Sequence, residues 1–378
     1  MVGGMDAASP QLIPAGTVFT PQEITHYAGK SELSLDEAIA RADVLVTAPH
    51  AGAAIPEELA SFLAPEFTRR LQFDYTDCST SPVVRRWAEI DPRIVVVENP
   101  HPRMVRDPNR EKPADLAATL AEAFDRVRAA GAWNRVDLTG VDAIRPVTFS
   151  FFPLLRVPQS AAELHELVER FSAVAEQGLG VYERTRDALL ERFQQQAFAL
   201  AAPGSPTAFT MLAFHDTMNR TTTRDGAIAV ERALEDRLPD VVALSNRGDH
   251  RGDPIGDSPV TMEPRLLRRL ADSARRAFEV DSPDAVAPNR PYLGSYEIIA
   301  AGRRFRELGG RADAAGVVLS AVQAEFRREF LLGEANTRVL SRPGTGWIEP
   351  DADRVDALAH ACKAMFDGVR TRLVAPEA

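Results

Sequence analysis

Cysteine is nearly absent from this chain: Cys78 and Cys362 are the two found in 378 residues, far apart in sequence. A disulfide framework is therefore excluded as the organising device, and a reducing compartment fits. Basic residues are in deficit, 44 against 54 acidic ones, for a formal charge of −10. A nucleic-acid binder normally presents a basic face, so that class is set aside, although local basic pockets are not. No run approaches the roughly 20 apolar residues of a membrane span. The opening stretch MVGGMDAASPQLIPAG lacks a basic segment followed by an apolar one, so no secretory signal is expected. There is no internal repeat and no low-complexity tract. The glycine-rich loop SNRGDHRGDP (245–254) has neither phosphate-cradling glycine spacing, and no Gly-x-Ser-x-Gly elbow is present. Hydrophobic content of 45% and charged content of 26% are ordinary for a soluble globular protein. The expectation is a cytoplasmic α/β enzyme.

What the chain does contain is a repeated strand-end pattern. Val44, Leu45, Val46 and Thr47 suit a buried strand and run into Ala48-Pro49-His50. Proline has no N–H to donate, so Pro49 ends the pairing, and Gly52 lets the backbone turn. An imidazole is thereby placed at the carboxyl end of a strand, the edge where open α/β sheets bind ligands. AFTMLAF at 208–214 repeats the pattern and ends in His215-Asp216-Thr217. GVVLSAVQAEF at 316–326 delivers Glu325, with Gln323 on the same face and Val322 and Ala324 on the other. Two histidines on one parallel sheet can converge on one point. A single histidine has many bland explanations, such as the solvated helix position expected of His165.

Residues 1–40 read as an irregular arm, with a short helix from Ser34 or Asp36 to Ile39. Residues 41–378 read as a single α/β domain with an inserted segment near 131–160. Further strands are expected at Ile94–Val97 and Asp240–Leu244. Helices are expected from Pro56, from Val83 to Ile90, over 115–130, 161–176 and 181–200, from Met262 to Phe278, and from Asp351 to Leu373. FDYTDCSTSP (73–82) reads as a loop in which Asp74 or Asp77 caps the next helix. PGSP (203–206) reads as a turn, and PVTFSFFPLLRVP as a buried extended segment over the site. PNRPYLGSYEI is turn-rich and carries Asn289, Arg290 and Tyr292. Alternating strands and helices imply a mostly parallel or mixed central sheet with helices on both faces.

The polar residues at strand ends are His50, His215 and Glu325, with Asp74 or Asp77 in the intervening loop. Two imidazoles and one carboxylate make a catalytic zinc set with an open position. A further carboxylate can take a proton from a water that the metal acidifies. Arg103 and Arg110, in NPHPRMVRDPNR, can fork onto substrate carboxylates. Cys78 has no obvious nearby base, so thiol catalysis fits less well.

At these residues the chain resembles the N-formylglutamate amidohydrolases. PHAGAAIP (49–56) is similar to that family's Pro-His-Ser/Ala-Gly strand end, and TDC (76–78) to its Thr-Asp-Trp loop. RMVRDPNR (103–110) is similar to Arg-x-x-x-Asp-Leu-Asn-Arg, and AVQAEFRREFLLGE (321–334) to its Val-Gln-x-Glu strand and following helix. LAFHDTM (212–218) resembles Asp-x-His-Ser less closely: Ala213 stands where the family has an acid and Asp216 where it has serine. Cys78 replaces an aromatic residue. The resemblance spans about residues 43–372. It implies the zinc-exopeptidase-like (phosphorylase/hydrolase-like) fold of the related zinc carboxypeptidases and aspartoacylases. It implies Zn2+ or another divalent metal on His50, Asp77 (or else Asp74) and His215, with Glu325 as general base. Arg103, Asn109 and Arg110 would hold a carboxylate of a small-molecule substrate, an N-formyl or N-acyl amino acid of which N-formyl-L-glutamate is the type. A second class is a non-catalytic binder of acidic amino acids that keeps the fold. No nucleic-acid or membrane partner is expected, and the sequence assigns no oligomeric state.

Overall fold

Val44–Ala48 is buried at every position, and a strand apolar on both faces belongs inside a sheet that is covered on both sides. A computed structural model describes residues 9–202 and 207–373, with side chains to 370; the turn expected at 203–206 lies outside the described residues. The central sheet has seven strands: β1 (Thr25–His26), β2 (Val44–Ala48), β3 (Ile94–Glu98), β4 (Thr207–Thr217), β5 (Val242–Ser245), β6 (Val286–Pro288) and β7 (Val317–Arg327). Their spatial order is β6-β5-β7-β4-β2-β3-β1. Strands β7, β4, β2 and β3 run parallel. β5 meets β7 antiparallel and β6 parallel, and β1 meets β3 antiparallel. The sheet is thus mostly parallel, with antiparallel pairings near its two edges.

Side chains alternate along each strand, and that alternation builds two cores. Leu45, Val95, Met211 and Ala321 point to one side, where Tyr182, Leu189 and Phe193 of helix Leu179–Leu200 and Ile298 of helix Tyr296–Glu307 cover them. Val46, Val96, Leu212, Phe214, Val322 and Ala324 point to the other, against helices Thr80–Ile90, Pro264–Ala277 and Ala352–Leu373. Cys362 is buried in the second core. Cys78 belongs to a third, smaller cluster with Phe73, Met218, Ile228, Leu332 and Leu340. Among the described residues no helix is long and apolar enough to cross a membrane.

Several boundaries differ from the sequence reading, each for a local reason. His215 lies inside β4, because β7 is equally long and the two strands stay paired through Glu325↔His215 to Arg327↔Thr217. The segment expected as a loop through Pro82 is shorter. Thr68 caps a helix at Arg69–Asp74, and the next helix already runs from Thr80 to Ile90. Pro82 sits in that helix's first turn, where a missing N–H costs nothing. Residues 57–62 form a 3-10 turn of chain rather than an α-helix. Before β2, capping boxes at Thr20/Glu23 and Ser34/Glu37 start helices Pro21–Ile24 and Leu35–Arg41. Residues 133–158 hold no helix and join their surroundings through isolated bridges, Leu63↔Leu155 and Val147↔Pro153.

Gly52 matters for a reason other than its turn. Its φ is not in the left-handed region. A Cβ there would lie 2.1 Å from the Pro100 carbonyl carbon and oxygen and 2.3 Å from Asn99 O. The loop after β2 therefore lies flat against the loop after β3. Asn99 Nδ2 donates to Pro49 O at 2.9 Å, and Ala54 N donates to Pro100 O at 3.0 Å. Gly52→Ala is expected to lose about 1–3 kcal/mol of stability, since backbone must move to relieve the overlap. Gly310→Ala, in helix Gly309–Ala315 with open space around the site, is expected to gain about 0.5–1 kcal/mol. Urea unfolding of the two variants checks the opposite signs.

Candidate active site

His50, Asp77 and His215 meet at the carboxyl ends of β2 and β4. His50 Nε2 hydrogen-bonds Asp107 Oδ1 at 2.7 Å. A neutral imidazole that donates from Nε2 leaves Nδ1 with a bare lone pair. That buried Nδ1 has no hydrogen-bond partner among the described residues and stands 3.6 Å from Asp77 Oδ2. His215 Nδ1 lies 3.1 Å from the same oxygen. The three potential ligand atoms all fall within 4.8 Å of one another, and all three residues are buried. Asp77 is brought there by the short turn after helix Arg69–Asp74, whose backbone N–H at Asp77 donates to His50 O at 3.0 Å. Asp74 points elsewhere: its Oδ2 accepts from Thr222 Oγ1 at 2.6 Å. Neither aspartate caps the following helix through its side chain. A buried set of two imidazole nitrogens and one carboxylate, with one nitrogen orphaned, has the donor chemistry that a divalent ion such as zinc requires.

The electrostatics follow from this crowding. Burial opposes the charge on Asp77, yet Arg103 and the two imidazoles hold its carboxyl well below the usual carboxylate range. Burial opposes ionisation of Asp107 too, and His50, Arg103 and Arg110 overcome it. For His50, burial and Arg103 push the pKa down, while Asp107 and Asp77 raise it by more. Glu325 is different. It sits in β7 directly across from His215, takes a hydrogen bond from Gln323 Nε2 at 3.2 Å, and has no ion-pair partner among the described residues. Burial pushes its carboxyl up to about 7, with Asp77 adding to the rise against the pull of His215 and Arg103. The neighbouring arginines are engaged elsewhere, Arg327 with Asp240 and Arg328 with Asp216.

His50, His215 and Glu325 line a cavity of about 420 Å³ together with Arg103, Asn109, Arg110 and Phe149, a size suited to a small ligand. Arg103 is paired with Asp77, so its guanidinium lies at the cluster itself. Arg110 Nε donates to Asp142 Oδ2 at 2.8 Å. Asn109 accepts from Glu297 N at 3.1 Å and reaches within 3.5 Å of His215 Nε2. Arg290 is exposed beside Asp284 and takes no part, whereas Tyr292 lines the cavity. His165 is exposed on its helix next to Glu169. The two thiols are buried, and burial pushes both pKa values up, which removes them as nucleophiles at neutral pH. Asp107 stands within the RMVRDPNR motif, but no local pattern marks its bond to His50. Arg232, which also lines the cavity, and Glu297, which holds Asn109 through its backbone N–H, had no local signal at all.

A family model described as N-formylglutamate amidohydrolase matches residues 42–331. The chain belongs to the N-formylglutamate amidohydrolase family. A crystal structure of N-formylglutamate amidohydrolase from Ralstonia eutropha JMP134 is similar to it, at 20% identity over 88% of this chain and 94% of that one, with a TM-score of 0.46. No curated protein matches significantly. Membership in the N-formylglutamate amidohydrolase family supports hydrolase chemistry for this chain.

The positions that depart from the family pattern have physical partners. Thr47 lies beside Ala213 in the β2–β4 register, and Thr47 Oγ1 donates to Glu297 at 2.8 Å. A carboxylate thus stands next to position 213, supplied by helix Tyr296–Glu307. Asp216 is fully buried against Arg328 and accepts from Ser79 N at 3.0 Å and Thr80 Oγ1 at 2.9 Å. Arg328 also donates to the carbonyls of Phe73, Asp74 and Thr76, which fixes the turn that presents Asp77. Arg328→Met is expected to destabilise by about 3–5 kcal/mol, because it strands a buried charge. Adding Asp216→Asn, which removes that charge, is expected to recover part of the loss in the same denaturant titration.

Proposed function

We propose that this protein is a metal-dependent amidohydrolase that removes a formyl or other small acyl group from the nitrogen of an acidic amino acid, with N-formyl-L-glutamate as the type substrate. The observation that carries the reading is Glu325: a buried carboxylate without an ion-pair partner among the described residues, facing the cavity beside the His50–Asp77–His215 cluster. A structural acid at that depth normally has a charged partner. His50 Nδ1, Asp77 Oδ2 and His215 Nδ1 would hold the ion, and Asp107 would keep the His50 ring oriented through Nε2. A divalent ion bound there would polarise the amide carbonyl and acidify a water molecule. Glu325 would accept the proton from that water and return it to the leaving nitrogen. Arg103, beside Asp77, would donate to the carbonyl oxygen as it gains charge. Asn109 and Arg110 would hold a substrate carboxylate, Arg110 through the part of its fork that Asp142 does not occupy.

Two measurements test this. Purified protein is expected to carry about one divalent ion per chain, and His50→Ala and His215→Ala each to lose it while remaining folded; full occupancy in both variants would put the ion elsewhere. Glu325→Gln keeps shape but cannot accept a proton. Its kcat on N-formyl-L-glutamate is expected to fall by roughly 10²-fold or more, with KM and Tm little changed. A non-catalytic binder would bind the substrate with no turnover in the wild type.

A further inference from the structure

We infer that Arg232 and Tyr292 form a second anion subsite in the same cavity, one that takes the side-chain carboxylate of the substrate; the assignment rests on the amidohydrolase reading above. Three arginines line the cavity, Arg103, Arg110 and Arg232. The first two are already paired, with Asp77 and Asp142. Among the described residues Arg232 has no carboxylate partner. Its fork meets two neutral hydroxyls instead: one terminal nitrogen donates to Tyr292 Oη at 2.9 Å and the other to Thr217 Oγ1 at 3.3 Å. Its Nε is shielded from solvent and has no hydrogen-bond partner among the described residues, so the two terminal nitrogens are the ones that face a ligand. Asp236 lines the same cavity but makes no ion pair with Arg232, so a guanidinium forked onto two hydroxyls is free to take a substrate anion. The Tyr292 hydroxyl that accepts from Arg232 still has its own proton to donate to the same anion.

The backbone around Arg232 is held from both sides, so the side chain projects from a fixed base. Arg232 N donates to Asn219 O at 3.0 Å, and Arg237 Nε donates to Arg232 O at 2.8 Å. A hairpin of Arg220–Thr222 and Ile228–Glu231 leads directly into it. Tyr292 lies in the loop after β6, at the far edge of the sheet from β3. The cavity wall therefore carries Tyr292 on the β5–β6 side and Arg110 on the β3 side, with β7 (Glu325), β4 (His215) and β2 (His50) between them.

The two cationic positions differ in their distance from the reacting group. Asn109, next to Arg110, approaches His215 to 3.5 Å, which suits the carboxylate attached to the carbon bearing the scissile amide. Thr217, which anchors Arg232, is two residues further along β4, about 7 Å beyond His215 at strand spacing. That offset suits a carboxylate at the end of a side chain. The subsite would thus select diacids: a neutral side chain in its place would leave Arg232 desolvated and unpaired.

The test compares kcat/KM for N-formyl-L-glutamate and N-formyl-L-glutamine in the wild type, Arg232→Ala, Arg232→Lys and Tyr292→Phe. The wild type is expected to prefer the glutamate compound. Arg232→Ala is expected to lose on the order of 30-fold or more on glutamate, mainly through KM, and little on glutamine. Arg232→Lys keeps the charge without the fork and should recover part of the preference, and Tyr292→Phe should lose less than Arg232→Ala. An equal loss on both substrates, or no wild-type preference, would overturn the subsite. If the wild type hydrolyses neither compound, the amidohydrolase reading fails. Calorimetric binding of the same pair then decides the subsite: a preference for glutamate abolished in Arg232→Ala upholds it, and an unchanged or absent preference overturns it.

Discussion

The floor of the cavity depends on one buried negative charge. Asp77 is shielded from water, a condition that by itself would drive its carboxyl neutral. It stays ionised because Arg103 pairs with one oxygen while His215 and the backbone N–H of Asp216 reach the other, with the His50 ring packed alongside. The convergence also runs outward. Arg103 comes from the loop after β3, His50 from the end of β2 and His215 from β4, so one carboxylate fixes the relative positions of three strand ends. A second buried pair, Asp216 and Arg328, holds the turn on which Asp77 sits. Such pairs add little net stability compared with apolar packing, but breaking either one strands a charge. The arrangement therefore favours definition of the site over stability of the fold.

The elements most legible in the sequence were those whose hydrophobic pattern leaves little choice. Val44–Ala48 and Ile94–Glu98 are continuous runs that must be buried, and helices 161–177, 179–200 and 352–373 follow the helical period closely. His50, His215 and Glu325 could be singled out because each closes an apolar run, and the structure places all three around one cavity. Less legible was anything set by contact between distant segments. β6 is three residues long and includes a proline, so it exists only because β5 offers it an edge. Helices Tyr296–Glu307 and Gly309–Ala315 carry glycines at 302, 309 and 310, which interrupt their periodicity.

The hydrogen-bond partners were the least legible part. Asp107 lay in plain view within a quoted motif, but its bond to His50 joins loops 57 residues apart. Glu297 lies in a turn-rich stretch, and its burial against Thr47, Tyr182 and Arg186 is knowable only once helices 179–200 and 296–307 are seen to cover the same face of the sheet. Residue type and spacing can nominate groups that do chemistry. The groups that orient them are recruited from wherever the fold happens to pass, and no local pattern marks them.

The two cysteines give this molecule a pair of internal reporters. Cys362 sits on helix Ala352–Leu373 in the second core, while Cys78 lies one residue from Asp77, in the small third cluster. Cys362 is sealed in its core, Cys78 meets solvent only at the edge of a second cavity, and the two environments are separate. Local opening around the Asp77 turn would expose Cys78 while leaving Cys362 covered, and complete unfolding would expose both. The relative labelling rates of the two positions therefore measure how far the breathing of the site is independent of the breathing of the core.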